Sequence, residues 1–309
     1  MSTSSIGSPL TIFCGKGGVG KTSLALAFAL RFAERKKRVL LVTSHPLPEL
    51  AVSISLAGLK EKVPQAAANL FIVHIDPLEI LAGKVRQVIP SEMLLKKVLA
   101  SPIYKTLIEI APGLKEIAFL GRLHQLTEER SREGHPGQYD LIVWDTPATG
   151  HFLQTLMVSQ NFETYLSGPF GLLGKEVGEF FAEASNIALI PVTTLEEMAV
   201  DETIELCGKL GTELNMRPSG VICNMASPLL AAPGFDFEKL RIEIEEDEAA
   251  IGDLNFILDR HDIERALFRK LHYSIGAAEF HVVRRKPSWD SDLELLLDLS
   301  HQLSEVSKS

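Results

Sequence analysis

The residues best suited to chemistry are Gly15-Lys16-Gly17-Gly18-Val19-Gly20-Lys21-Thr22, a match to the pattern G-x-x-x-x-G-K-[ST]. Glycines let successive backbone N–H groups turn inward onto phosphate oxygens. A helix that starts at the end of such a loop adds the positive end of its dipole. Lys21 is then placed to reach the β- and γ-phosphates, and Thr22 to ligate Mg²⁺ through its hydroxyl. Gly17, Gly18, Val19, Gly20 and Ser23 complete the expected nucleotide-binding set. Lys16 is a cation that an ordinary phosphate loop does not require. It reads either as a solvated loop lysine or as a charge that reaches a partner protomer's nucleotide. A second candidate is Asp145, which ends the apolar run Leu141–Trp144. A carboxylate at the carboxyl end of a buried strand can hold Mg²⁺, directly or through water. The Thr146-Pro147-Ala148-Thr149-Gly150-His151 that follows reads as a loop able to order beside a γ-phosphate and relax after hydrolysis.

The elements that must carry these residues alternate in type. Leu10–Cys14, Val39–Thr43, Phe71–Ile75, Leu141–Trp144, Ile187–Val192 and Gly220–Cys223 are short, apolar and bounded by polar, Gly or Pro positions, so they predict buried strands. Continuous apolarity predicts burial on both faces, as in a parallel sheet. Ser23–Arg35, Leu195–Leu210 and Ser288–Leu303 carry helical spacing. The alternation predicts a doubly wound α/β sheet flanked by helices. Pro77–Gln138 reads as helices broken at Pro90, Pro102 and Pro112, and His151–Ser185 is again helical. These stretches, 78–137 and 151–185, are expected as a helical layer at one edge of a single domain spanning 1–309. Glu128–Gln138 reads as an exposed loop, and Arg284-Arg285-Lys286 as a short basic loop.

Composition narrows the function classes. The 31 Lys and Arg against 40 Asp and Glu leave a formal charge of -9, which argues against a general nucleic-acid binder. No apolar run approaches the roughly 18 residues of a membrane span, and the first residues lack a secretory signal pattern, so a cytoplasmic protein is expected. Cys14, Cys207 and Cys223 are scattered and form no CxxC, which suggests neither a disulfide framework nor a local metal pair.

Lys16 to Thr22 resembles the deviant Walker A loop of the dimeric signal-recognition, MinD and ParA class of P-loop NTPases. Asp145 to His151 resembles the switch II motif of the arsenical pump-driving ATPase family, which includes ATPases that target tail-anchored membrane proteins. Ile75-Asp76-Pro77, Pro112-Gly113-Leu114-Lys115-Glu116 and Glu202-Thr203 resemble family residues at similar places. The resemblance runs from about Leu10 to Asn224. It implies an ATP- and Mg²⁺-binding ATPase that opens and closes as a nucleotide-bridged dimer, with Lys16 reaching across it. Asn224 matches the asparagine that reads adenine in that family; by itself it is equally a strand-terminal turn residue.

Three departures from the family shape the expectations. Ser44-His45-Pro46 stands where the family shows Thr-Asp-Pro. A neutral imidazole can accept a proton from water but supplies no fixed negative charge, so weak hydrolysis is expected. The same departure motivates a heterodimer with a related ATPase as an alternative to a homodimer. The cysteine pattern argues against the family's zinc and arsenite sites. The segment His151–Ser185 is short for a client groove, although Leu153, Leu156, Met157, Phe162, Tyr165, Phe170, Leu172, Leu173, Phe180 and Phe181 could line a small one. Two alternative functions follow: a chaperone or targeting factor for hydrophobic segments, and a partitioning ATPase of the MinD and ParA class.

Overall fold

A computed structural model describes residues 8–43, 64–111, 113–129, 138–165, 169–227, 248–276, 278–286 and 291–305, with residues 62, 230 and 242 described singly. The strands are β1 (Leu10–Cys14), β2 (Val39–Thr43), β3 (Leu70–His74), β4 (Leu141–Asp145), β5 (Ile187–Thr194), β6 (Gly220–Ala226) and β7 (Glu279–Arg284). The helices are α1 (Lys21–Glu34), α2 (Pro64–Asn69), α3 (Pro77–Val88), α4 (Glu92–Ala100), α5 (Pro102–Ile110), α6 (Leu114–Glu128), α7 (Thr149–Tyr165), α8 (Pro169–Ala182), α9 (Glu197–Leu214), α10 (Glu248–Ile275) and α11 (Asp292–Glu305).

The strands form one seven-stranded sheet in the order β3-β2-β4-β1-β5-β6-β7, with every pairing parallel. Alternate side chains of each strand feed opposite layers. Leu10, Ile12 and Cys14 of β1 point to one side, with Ile142 and Trp144 of β4, and pack under α6, α7 and α8. Phe13 points to the other side with Leu41 and Val143, under α1 and α11. Trp144 anchors the first layer, 5.2 Å from the Phe119 ring and 5.6 Å from that of Phe152.

The predicted strands are present, and several continue past their predicted ends: β4 through Asp145, β5 through Thr194 and β6 through Ala226. β7 is absent from the sequence reading. Its residues Glu-Phe-His-Val-Val-Arg alternate and carry charged ends, as a sheet-edge strand does, and Arg284 ends it rather than opening a loop. β3 departs from the expected burial. Phe71 and Ile72 are 37% and 40% exposed because β3 is the opposite edge, paired to β2 alone. Pro77 and Pro102 open α3 and α5, Pro90 separates α3 from α4, and Pro112 lies outside the described residues. α11 buries Leu296, Leu299 and Leu303 against the α1 layer.

Candidate functional site

The sheet reverses its winding at β1, which lies between β4 and β5. Ligands of open α/β sheets bind at the carboxyl ends of the strands at such a point. The loop between β1 and α1 occupies it. Gly15 has φ 138°, and a Cβ there would lie 2.2 Å from the Val192 carbonyl oxygen of β5, so no other residue fits. Gly20, at φ 87°, caps α1 from the left-handed region, and a Cβ there would meet Asn224 Nδ2 at 2.4 Å. The loop is thus wedged between the ends of β5 and β6.

Its polar groups are committed to one another. Lys21 Nζ donates to the Lys16 carbonyl at 2.9 Å, closing the loop on itself. Lys21 is buried, and burial pushes its pKa down, opposed chiefly by the charge of Asp145 and less by that of Glu202. Thr22 Oγ1 donates to Asp145 Oδ2 at 2.7 Å, joining residues 123 apart in the chain. Adjacent ligands of an octahedral Mg²⁺ lie about 2.9 Å apart, so this hydroxyl and carboxylate fit two neighbouring positions around that ion. Thr146 anchors the start of the switch segment: its N–H and hydroxyl both reach the Phe13 carbonyl, at 3.2 and 2.9 Å. Thr149 opens α7 with a buried hydroxyl that has no partner among the described residues, and His151 is exposed. Ser23 lies half-buried in the first turn of α1.

Asn224 is buried at the end of β6, and its Nδ2 donates to the Val19 carbonyl at 2.8 Å, across 205 residues. The next residue, Met225, has φ 56°, and the β6–β7 register breaks between Cys223 and Ala226. The irregularity turns the strand end toward the loop. Lys16 projects from the loop surface and pairs with Glu202 of α9 at 3.5 Å. His45 lies outside the described residues.

Two supporting residues escaped the sequence reading. Glu202 was visible only as part of a Glu-Thr pair and not as the partner of Lys16. Glu264 of α10 is 3% exposed, accepts from Ser227 N at 2.8 Å and pairs with Arg260 at 3.0 Å. It holds the chain just beyond Asn224, and a lone Glu in a helical pattern carries no signal of that role.

The residues that could line a small groove are, where described, part of the core. Leu153, Leu156, Phe180 and Phe181 are buried core, and Met157 packs against them; the side chains of Phe162, Tyr165, Phe170, Leu172 and Leu173 lie outside the described residues. Helical apolar spacing here serves the sheet layer instead. Cys14, Cys207 and Cys223 are free, and burial pushes each thiol up, Cys207 and Cys223 to about 12.

The parallel sheet, the phosphate loop opening α1 and the Thr22–Asp145 pair define a P-loop NTPase. The anion-transporting ATPase family model matches residues 9–199, and the chain belongs to that family. It is 29% identical to "ATPase GET3" of Malassezia globosa over 174 residues, which cover 56% of this chain and 49% of the relative. It is 32% identical to the arsenical pump-driving ATPase of Escherichia coli over 167 residues, 53% of this chain and 28% of the relative. A putative arsenical pump-driving ATPase 2 of Aquifex aeolicus is 28% identical over 265 residues, 76% of this chain and 85% of the relative. The match thus spans half or less of the first two proteins. No described helix is long and apolar enough to cross a membrane.

Proposed function

We propose that this chain binds ATP with Mg²⁺ at the Gly15–Thr22 loop, hydrolyses it slowly, and acts as a dimeric switch that closes on nucleotide. The observation that carries this reading is the 2.7 Å contact between Thr22 and Asp145 at the mouth of a loop closed by Lys21. Mg²⁺ bound there would neutralise charge on the β- and γ-phosphates. Thr22 and Asp145 orient that site. Lys21 exchanges the Lys16 carbonyl for phosphate oxygens. Asn224, held by Val19, faces the adenine side. Lys16 leaves Glu202 and reaches the partner protomer's nucleotide. His45 in place of an aspartate keeps turnover slow, and a related ATPase with the aspartate is the partner in the heterodimeric form of this reading.

The test combines MgATP titration, steady-state turnover and sedimentation. ATP binding that persists in Asp145→Asn while turnover falls, together with a nucleotide-induced gain in association that Lys16→Ala abolishes, is the expected result. Absence of ATP binding sinks the whole reading. Robust turnover unchanged in His45→Ala sinks the slow-hydrolysis part.

One observation favours a second reading, capture of a hydrophobic segment. Val88, Met93 and Ile103, on or next to α3–α5, are 76%, 71% and 82% exposed. An apolar surface of this kind marks an interaction site when contiguous. Crosslinking of a tail-anchor peptide to Met93 or Ile103 supports it, and crosslinking elsewhere or not at all rejects it. The partitioning alternative is disfavoured by α11, whose apolar side is already packed against α1.

A further inference from the structure

Helix α10 has 28 residues, about 42 Å at 1.5 Å per residue, whereas its neighbours β6 and β7 have 7 and 6 residues, about 20–23 Å. Its carboxyl-terminal half packs Leu267, Phe268 and Leu271 against β6 and α9. Glu264 meets Ser227 at the carboxyl end of β6, so residues before it run past the sheet on the nucleotide side. Along the face turned away from the core, Phe256, Asp259, Ile263, Ala266, Lys270 and Tyr273 are all exposed. Phe256, Ile263 and Tyr273 are 69%, 60% and 91% exposed. Their spacing alternates three and four residues, the seam of a coiled coil.

The seam is complementary to itself when reversed. In one antiparallel register Phe256 meets the second copy's Tyr273, Asp259 meets Lys270, and Ile263 meets Ala266. A two-fold axis repeats each pair. The pairs are aromatic with aromatic, acid with base, and large with small. On the flank the same register sets Asp262 opposite Arg269, again of opposite charge. A parallel pairing would instead place Asp259 on Asp259 and Lys270 on Lys270. Lys270 already pairs with Asp201 of α9 at 2.5 Å, yet its side chain is 46% exposed and its ammonium has further donors.

We propose that α10 is a homodimerisation helix, pairing antiparallel with the α10 of a second copy through Phe256, Asp259, Ile263, Ala266, Lys270 and Tyr273. The contact needs no nucleotide, which separates it from the nucleotide-closed dimer above. It is tested by sedimentation of the full chain without nucleotide. The wild type is expected to self-associate. Ile263→Glu, which buries an unpaired charge, raises the dimer Kd about a hundredfold. In a background of Asp201→Asn, Asp259→Lys raises it about tenfold, and adding Lys270→Glu returns it to within about threefold. Phe256→Cys and Tyr273→Cys proteins crosslink when mixed and neither crosslinks with itself. A chain monomeric at its highest soluble concentration overturns the proposal, and so does a dimer indifferent to the charge swap. Self-crosslinking of Phe256→Cys alone overturns the antiparallel register.

Discussion

The phosphate loop and helix α10 follow the same crossover rule, in which a strand feeds a helix that packs back on the sheet, yet their side chains end differently. Around the loop, Lys21, Thr22, Thr146 and Asn224 each have a polar partner inside the protomer. Along α10, one face is buried against β6 and α9 while the opposite face carries exposed Phe256, Ile263 and Tyr273. The loop sits where three strand ends converge, so most of its polar side chains find partners on neighbouring elements. The helix outruns its strands, and its outward face stays exposed. Convergence of elements pairs most of the site's polar groups, and mismatch of lengths produces a surface.

The contrast can be broken at the loop first. Asp145→Asn keeps an oxygen for the Thr22 hydroxyl but removes the charge, so it should lower ATP turnover about 10²- to 10³-fold with little change in folding. Turnover within threefold of wild type would place the metal elsewhere. Gly15→Ala drives a Cβ to within 2.2 Å of the Val192 carbonyl at a positive φ, and should cost about 3 kcal/mol or more in urea unfolding. A wild-type midpoint would show that the loop has slack. Glu264→Gln weakens the buried acceptor that joins α10 to Ser227, at a cost of about 1–3 kcal/mol, and should raise the KM for ATP more than it lowers kcat. Equal loss in both would give Glu264 no part in holding the Asn224 end of the site.

The remaining two effects are smaller. His281 on β7 is buried, and burial pushes its pKa down to about 4, with Glu279 opposing. The unfolded chain therefore takes up a proton near pH 6.5 that the folded chain refuses until about pH 4. Stability should be full above that window and fall as pH drops through it. His281→Phe should flatten this slope in thermal melts, and an unchanged slope would move the cause to another group. Last, Glu202→Gln removes the partly exposed ion pair with Lys16, and should change stability by no more than about 1 kcal/mol. If Lys16 is needed across a dimer, the same variant frees it and should strengthen nucleotide-dependent association. Weaker association would make Glu202 part of that contact.

Much of the site was legible because its chemistry is local in sequence. The spacing of Gly15, Gly20, Lys21 and Thr22 states a loop geometry, and the apolar run ending at Asp145 states a strand end. The central strands were legible for the same reason, since continuous apolar runs have no other home in a chain this size. β7 was not, because its edge position permits Glu279 and Arg284 at its ends. The apolar positions of α7 and α8 announced an amphipathic helix without saying what it covers, and the sheet covers it.

By itself, then, the order of residues determined a doubly wound α/β sheet, a phosphate loop at β1 and a carboxylate at the end of β4. Those features depend on backbone conformation and burial over ten residues or fewer. Only the tertiary structure decided the partners: Thr22 with Asp145, Asn224 with Val19, Lys16 with Glu202 and Ser227 with Glu264. It alone decided that α10 turns a heptad seam outward. A pattern of apolar residues names a face, and only packing determines whether that face is already covered.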